Sequence, residues 1–196
     1  MLPRAFFERD TLSVARELIG TQLHVISPQG ELRGRIVGTE AYLGTDDPAS
    51  HAAGGPTPRS AIMFGPPAVA YVYFIYGVHH CLNMVTEPEG TAGAVLIRAL
   101  EPVSGQQTMA ALRGLNTARF RDRDLCSGPG KLCQALGLDR GWNGVPLDGA
   151  GDRRIWLSAG PMPLVVASSP RIGIRKAVDW LYRFTDPDSS CLSRGL

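Results

Sequence analysis

The sequence predicts a mixed α+β fold in a single domain. Runs of β-branched and aromatic residues occur in pairs around turn signals, the pattern of antiparallel hairpins. Helical periodicity is confined to segments outside those pairs, which places helices around a sheet rather than between its strands. No βαβ alternation and no Gly-x-Gly-x-x-Gly occurs, which disfavours a dinucleotide-binding sheet. At 196 residues and 44% hydrophobic content, the chain suits one domain with a large core.

Residues 5–19 read as a short helix in two halves. Asp10 or Thr11 caps the second half, Leu12, Ala15, Leu18 and Ile19 form its apolar face, and Gly20 stops it. Residues 21–27 and 31–43 form a hairpin around Pro28-Gln29-Gly30. Residues 44–68 are rich in Gly, Pro, Asp and Ser and read as a long ordered loop, a class that often carries function. Residues 69–76 and 79–86 form a second hairpin with its tip near Tyr76-Gly77-Val78. After the turn Glu87-Pro88-Glu89-Gly90 comes a strand over 93–101. Segments 104–113 and 130–137 read as helices, 154–158 and 163–168 as strands, and 186–196 as a frayed polar tail.

Composition narrows the function classes. The net charge is +2, too small by itself to announce nucleic-acid binding. Lys131 and Lys176 are the only lysines among 20 basic residues. Arginine is the better fork for phosphate oxygens, although genomic base composition produces the same bias. Cys81, Cys126, Cys133 and Cys191 show no C-x-x-C spacing, so reduced thiols are expected rather than a zinc site or a disulfide framework. The start of the chain has no apolar signal-type core and no stretch is long enough to span a bilayer, so a cytoplasmic protein without membrane contact is expected.

Several residues could carry chemistry. Glu40 lies in a β-branched and apolar run, and Tyr42 two positions on would share its face. That makes Glu40 either a general base with a flat surface beside it or an edge carboxylate facing water. If the second hairpin turns about Val78, Tyr73 lies opposite Asn83, a ring beside an amide. Tyr76 at the tip is either a rim residue or a wedge between stacked bases. His51 in the long loop is surface, structural or functional; Ala53 stands where a zinc deaminase would need glutamate. Neighbouring His79 and His80 point to opposite strand faces and make a poor metal pair. Ser127-Gly128-Pro129-Gly130-Lys131 opens a helix, either as a plain entry or as a backbone-phosphate contact; its spacing is not that of a phosphate-binding P-loop.

Nine runs in order together resemble one family. They are Thr39-Glu40-Ala41-Tyr42-Leu43-Gly44; His51 with Gly54-Gly55; Thr57-Pro58-Arg59; Met63-Phe64; Tyr71-Val72-Tyr73-Phe74-Ile75-Tyr76-Gly77; Cys81-Leu82-Asn83; Leu96-Ile97-Arg98-Ala99-Leu100-Glu101-Pro102; Ser127 through Leu136; and Pro170-Arg171-Ile172-Gly173-Ile174. Over about residues 5 to 185 the chain resembles the alkyladenine (3-methyladenine, methylpurine) DNA glycosylases.

The resemblance implies one domain around a curved antiparallel sheet with a protruding hairpin. It implies a monomeric, monofunctional base-excision enzyme that flips a damaged purine out of double-stranded DNA and hydrolyses its N-glycosidic bond, with no cofactor and no metal. By the same resemblance Glu40 deprotonates the attacking water, Arg98 positions it, and the backbone of Ile172 lies beside it. Tyr42, His51 and Tyr73 wall the flipped base, Asn83 crowds the exocyclic amine of normal guanine, and Tyr76 fills the gap in the duplex. Arg59, Lys131 and Arg171, in the matching runs, are expected at the DNA backbone.

The chemistry expected of such a site is consistent. An extruded base leaves a gap that a wedge must hold. A carboxylate stabilises positive charge on the sugar and takes a proton from water. Aromatic walls favour cationic alkylated purines through cation–π contacts of about 0.5–2 kcal/mol. Both lysines are distant in sequence from the pocket residues, so water rather than a Schiff-base amine is the expected nucleophile. The alternatives are a non-catalytic nucleic-acid-binding module on the same fold and a sugar glycosidase; the latter needs two facing carboxylates.

Overall fold

A computed structural model describes residues 1–192. It shows the expected mixed α/β single domain, with an antiparallel sheet curled into a half-barrel. The strands are β1 (Gln22–Ser27), β2 (Gly30–Tyr42), β3 (Ala70–Ile75), β4 (His79–Val85), β5 (Ala94–Ser104), β6 (Ile155–Ser158), β7 (Ala167–Ser169) and β8 (Arg183–Thr185). The main path runs β3-β4-β5-β2-β1-β6, with β8 beside β2 and β7 beside β8. The helices are α1 (Arg4–Phe7), α2 (Thr11–Glu17), α3 (Gln106–Leu112), α4 (Asp122–Cys126) and α5 (Pro129–Ala135).

β2 organises the sheet. Gly30–Arg35 pair with β1, whereas Gly38–Glu40 pair with β8 on that side and with β5 on the other. The β2–β5 register shifts around Gly34 and Gly38. Such bulges bend a strand and increase its twist. A side chain on Gly34 would meet Leu100 Cβ at 3.0 Å, tighter than an ordinary contact, so glycine eases the close approach of β2 and β5 there. At the outer edge, His24 ties three strands together. Its Nδ1 meets Glu31 Oε1 of β2 at 2.5 Å, its Nε2 meets Ser158 Oγ of β6 at 2.8 Å, and its ring stacks on Trp156.

The helices pack against the sheet and share its core. Asp10 caps α2 by accepting the Ser13 N–H, as its place before the apolar face implied. Val14, Ala15, Leu18 and Ile19 are buried, as are Leu125, Leu132, Cys133 and Leu136 from α4, α5 and its exit. Burying each large aliphatic side chain contributes roughly 1.5–3 kcal/mol. Gly93 must lack a side chain, because a Cβ would lie 2.3 Å from Thr11 Oγ1 where α2 meets the β4–β5 turn.

The structure departs from the sequence reading in several elements. The strand expected over 163–168 shrinks to β7, because Pro161 and Pro163 lack ladder donors and Leu164 stands fully in solvent. α4 and β8 appear where no strand or helix was expected. Residues 186–192 are not frayed: Asp186 pairs with Arg35 at 2.7 Å, and Cys191 is buried with Val37 and Ala99. The rest of that expected tail, 193–196, lies outside the described residues. All four cysteines are buried free thiols. Among the described residues, no helix is long and apolar enough to cross a membrane, and no group of three metal-ligating side chains forms.

Candidate active site

Glu40 enters the interior at the most constrained point of β2, with Leu96 of β5 on one side and Arg183 of β8 on the other. Its side chain is fully buried, at 0% exposure. The edge-carboxylate reading of the sequence is therefore wrong. A buried charge is tolerable only when paired and hydrogen-bonded. The Tyr42 hydroxyl donates to Oε2 at 2.8 Å and Arg98 Nη1 donates to the same oxygen at 3.2 Å. The Ile172 N–H donates to Oε1 at 2.7 Å. Tyr42 shares the face of Glu40, as the two-residue strand period requires. Burial first, and the Glu40 charge second, push its hydroxyl far above the ordinary range, so it remains a donor.

A cavity of about 470 Å³ opens over this node, within the range of small-molecule sites. Tyr42, His51, Tyr73, Asn83, Arg98 and Ile172 all line it, as do Met63, Tyr71 and Cys81. These residues come from β2, the long loop, the β3–β4 hairpin, β5 and the segment after β7. The Asn83 amide nitrogen donates to the carbonyls of Tyr71 and Cys81 at 3.1 and 3.4 Å, which fixes its orientation.

The hairpin register corrects one expectation. Tyr73 lies opposite Cys81, and Asn83 lies opposite Tyr71. The reason is a register centred on Gly77 rather than Val78, with Tyr76, Gly77 and Val78 between the paired Ile75 and His79; Tyr76 (φ 54°) and Gly77 (φ 70°) both take positive φ. Two positive φ values match the right-handed strand twist of a hairpin. Glycine takes this backbone freely, whereas tyrosine takes it under strain, a condition found at functional sites. The turn leaves Tyr76 80% exposed, still on the cavity rim.

His51 Nδ1 meets the Tyr71 hydroxyl at 3.0 Å, and its ring packs edge-on against Tyr73. Burial, then the Arg59 charge, lower its pKa from 6.5 to about 4. His51 is therefore neutral at pH 7. The unfolded chain takes up its proton near 6.5 and the folded one near 4, so this contribution to stability is complete above 6.5 and is lost as the pH falls towards 4. His51→Gln should flatten that part of the pH dependence, seen as a smaller loss of unfolding free energy from pH 7 to 4.5 than in the unaltered protein.

The residues expected at the DNA backbone divide. Arg59 and Lys131 are exposed; Arg59 lies 4.7 Å over the Tyr73 ring and Lys131 Nζ is 3.2 Å from Ser127 Oγ. Arg171 cannot reach a phosphate. Its side chain is 0% exposed, bound to Asp47 at 2.5 and 2.9 Å and to the Ala41 carbonyl at 2.9 Å. It also stacks on Tyr42, Tyr182 and Trp180. Asp47 in turn accepts the N–H groups of Leu43 and Ala49. This pair clamps the start of the long loop to the segment that presents Ile172. Sequence reasoning missed it because its members lie 124 residues apart, beyond any spacing rule. Lys176 was placed away from the pocket by its sequence distance, yet it lines the cavity.

Comparison with known proteins agrees with this geometry. A family profile for Methylpurine-DNA glycosylase matches residues 5–190. Relatives whose names include "3-methyladenine DNA glycosylase" cover nearly the whole chain. One from Rhodopseudomonas palustris (strain CGA009) is 52% identical, covering 99% of this chain and 88% of its own. One from Methanocella arvoryzae is 45% identical over 99% and 96%, and one from Koribacter versatilis 48% identical over 93% and 88%. With that coverage and identity, the chain belongs to the methylpurine-DNA glycosylase family and is a hydrolase of the N-glycosyl type.

Proposed function

We propose that the cavity receives a damaged purine flipped out of double-stranded DNA and that a water activated by Glu40 hydrolyses its N-glycosidic bond. The observation that carries this reading is the fully buried Glu40 carboxylate, held by three donors against an aromatic-walled cavity. A carboxylate offers about four acceptor directions, and three are taken. The fourth, on Oε1 beside Ile172, suits one water. The buried Arg98 Nε–H has no acceptor among the described residues and is a donor available to that water. Glu40 accepts the water's proton while its charge offsets the positive charge developing on the sugar. Tyr42, His51 and Tyr73 wall the base, and Asn83 crowds the amine of normal guanine. The chain acts as a monomer on nucleoid DNA, with Arg59 and Lys131 near the backbone and without a metal or cofactor. Assaying base release from duplexes that each carry one defined lesion tests the reading. No release of any base would favour a binding module on the same fold.

Tyr76 fills the gap left by the flipped nucleotide. Tyr76→Ala should weaken binding to a paired lesion duplex more than it slows release of a base already unpaired. Titrating both substrates checks this; equal effects would count against a wedge.

The nucleophile is water rather than the Lys176 amine. Borohydride added during turnover should therefore trap no covalent protein–DNA complex. A trapped species that disappears in Lys176→Ala would instead establish Schiff-base chemistry.

A further inference from the structure

Two of the three donors to Glu40 hang on one other side chain. Pairing of β2 with β8 stops at Glu40 opposite Arg183, and the Ala41 N–H still reaches the Tyr182 carbonyl at 2.8 Å. From there the ladder gives way to Arg171, whose Nη1 donates to the Ala41 carbonyl at 2.9 Å. Ala41 is the residue between Glu40 and Tyr42. The guanidinium also lies 4.7 Å from the centre of the Tyr42 ring, so it holds both the backbone and the ring that bring a hydroxyl to Glu40 Oε2. The next residue in the chain, Ile172, donates its N–H to Oε1. One planar group therefore sets two donors, the first through the ring it stacks on and the second through its own main chain. The third donor, Arg98, comes independently from β5.

Stability alone does not account for this construction. Well-packed apolar side chains are often at least as stabilising as a buried ion pair. The Arg171 Nε–H, moreover, is buried without an acceptor among the described residues. What the fork supplies is direction. Its two Nη atoms meet the two oxygens of Asp47 at 2.5 and 2.9 Å, which fixes the plane of the guanidinium. Asp47 is itself held by the N–H groups of Leu43 and Ala49. Misplacing a reacting group by about 1 Å costs on the order of 10²-fold in rate. Donors that aim a carboxylate thus act on the rate without touching the substrate.

We infer that Arg171, locked by Asp47, is a positioning residue for the chemical step, aiming the Glu40 carboxylate through Tyr42 and Ile172. The inference rests on the reading of Glu40 as the general base. It gives the pair an effect on rate that is separable from its effects on stability and on duplex binding.

The test is single-turnover base release from a duplex with one hypoxanthine, over a range of protein concentrations and at a temperature where every variant is folded. Arg171→Lys keeps the charge opposite Asp47 but loses the planar fork. It should lower the limiting rate about 10²-fold and leave the half-saturating protein concentration unchanged. In the Glu40→Gln background the same substitution should change the residual rate by no more than about threefold, because the group being aimed is gone. If Arg171→Lys does not fold, Asp47→Asn combined with Arg171→Met, which leaves no unpaired charge at the pair, is read in the same way. A limiting rate near that of the unaltered protein would overturn the inference. So would a loss that appears as a raised half-saturating concentration, the mark of a loosened loop, or an equal fold-loss with and without the Glu40 carboxylate. Those results would leave the glycosylase reading standing. Release of no base by the unaltered protein, or undiminished release by Glu40→Gln, would overturn both.

Discussion

Asp47→Asn should lower the unfolding free energy by about 3–5 kcal/mol, the range for breaking one side of a buried ion pair. In a domain of this size that amounts to a drop in Tm of roughly 10 °C. The cause is an uncompensated guanidinium. Arg171 has no solvent-facing surface, and its aromatic neighbours at 4.7, 5.3 and 5.9 Å cannot replace a carboxylate. Removing both charges together is less costly than removing one. Asp47→Asn combined with Arg171→Met should therefore recover part of the loss. Denaturant unfolding of the three proteins checks this. A single variant as stable as the unaltered protein would show that the pair does not clamp the loop. The clamp also bears on the site, because Arg171 immediately precedes the residue whose N–H holds Glu40.

Glu40→Gln should reduce base release by about 10²–10⁴-fold, the range for loss of a positioned general base. The substitution keeps the shape of the side chain and removes its capacity to take a proton. It also turns an amide N–H₂ towards a shell made entirely of donors: Tyr42, Arg98 and Ile172. Some stability is lost for that reason, and a melting curve must accompany the rate. The defect should fall on the chemical step rather than on duplex binding, since the Glu40 side chain has no exposed surface.

Much of this architecture was legible because it rests on local rules. Strand alternation put Glu40 and Tyr42 on one face, the Asp10-Thr11 pair located the start of α2, and Tyr76-Gly77-Val78 marked the hairpin tip to within one residue of its centre. Order and spacing of the nine runs gave the family. What was hidden depends on tertiary placement. The Tyr73–Cys81 register hung on whether the hairpin centres on Gly77 or Val78, and a shift of one position in its centre moves the partner by two. β8 has three residues and is held by pairing with β2 and β7 rather than by any pattern of its own. Arg171 resembles a surface cation in sequence, because nothing local announces that Asp47 will bury it. Lys176 reaches the cavity because the whole run Ile172 to Lys176 after β7 lines it.

The most direct test of the account pairs two measurements on one substrate, a duplex with a single hypoxanthine. The single-turnover rate of base release and the equilibrium affinity are determined for the unaltered protein and for folded Glu40→Gln. The account predicts release at least about 10²-fold slower with affinity for the duplex retained. Release at an undiminished rate by Glu40→Gln would contradict it and move the chemistry away from the buried carboxylate.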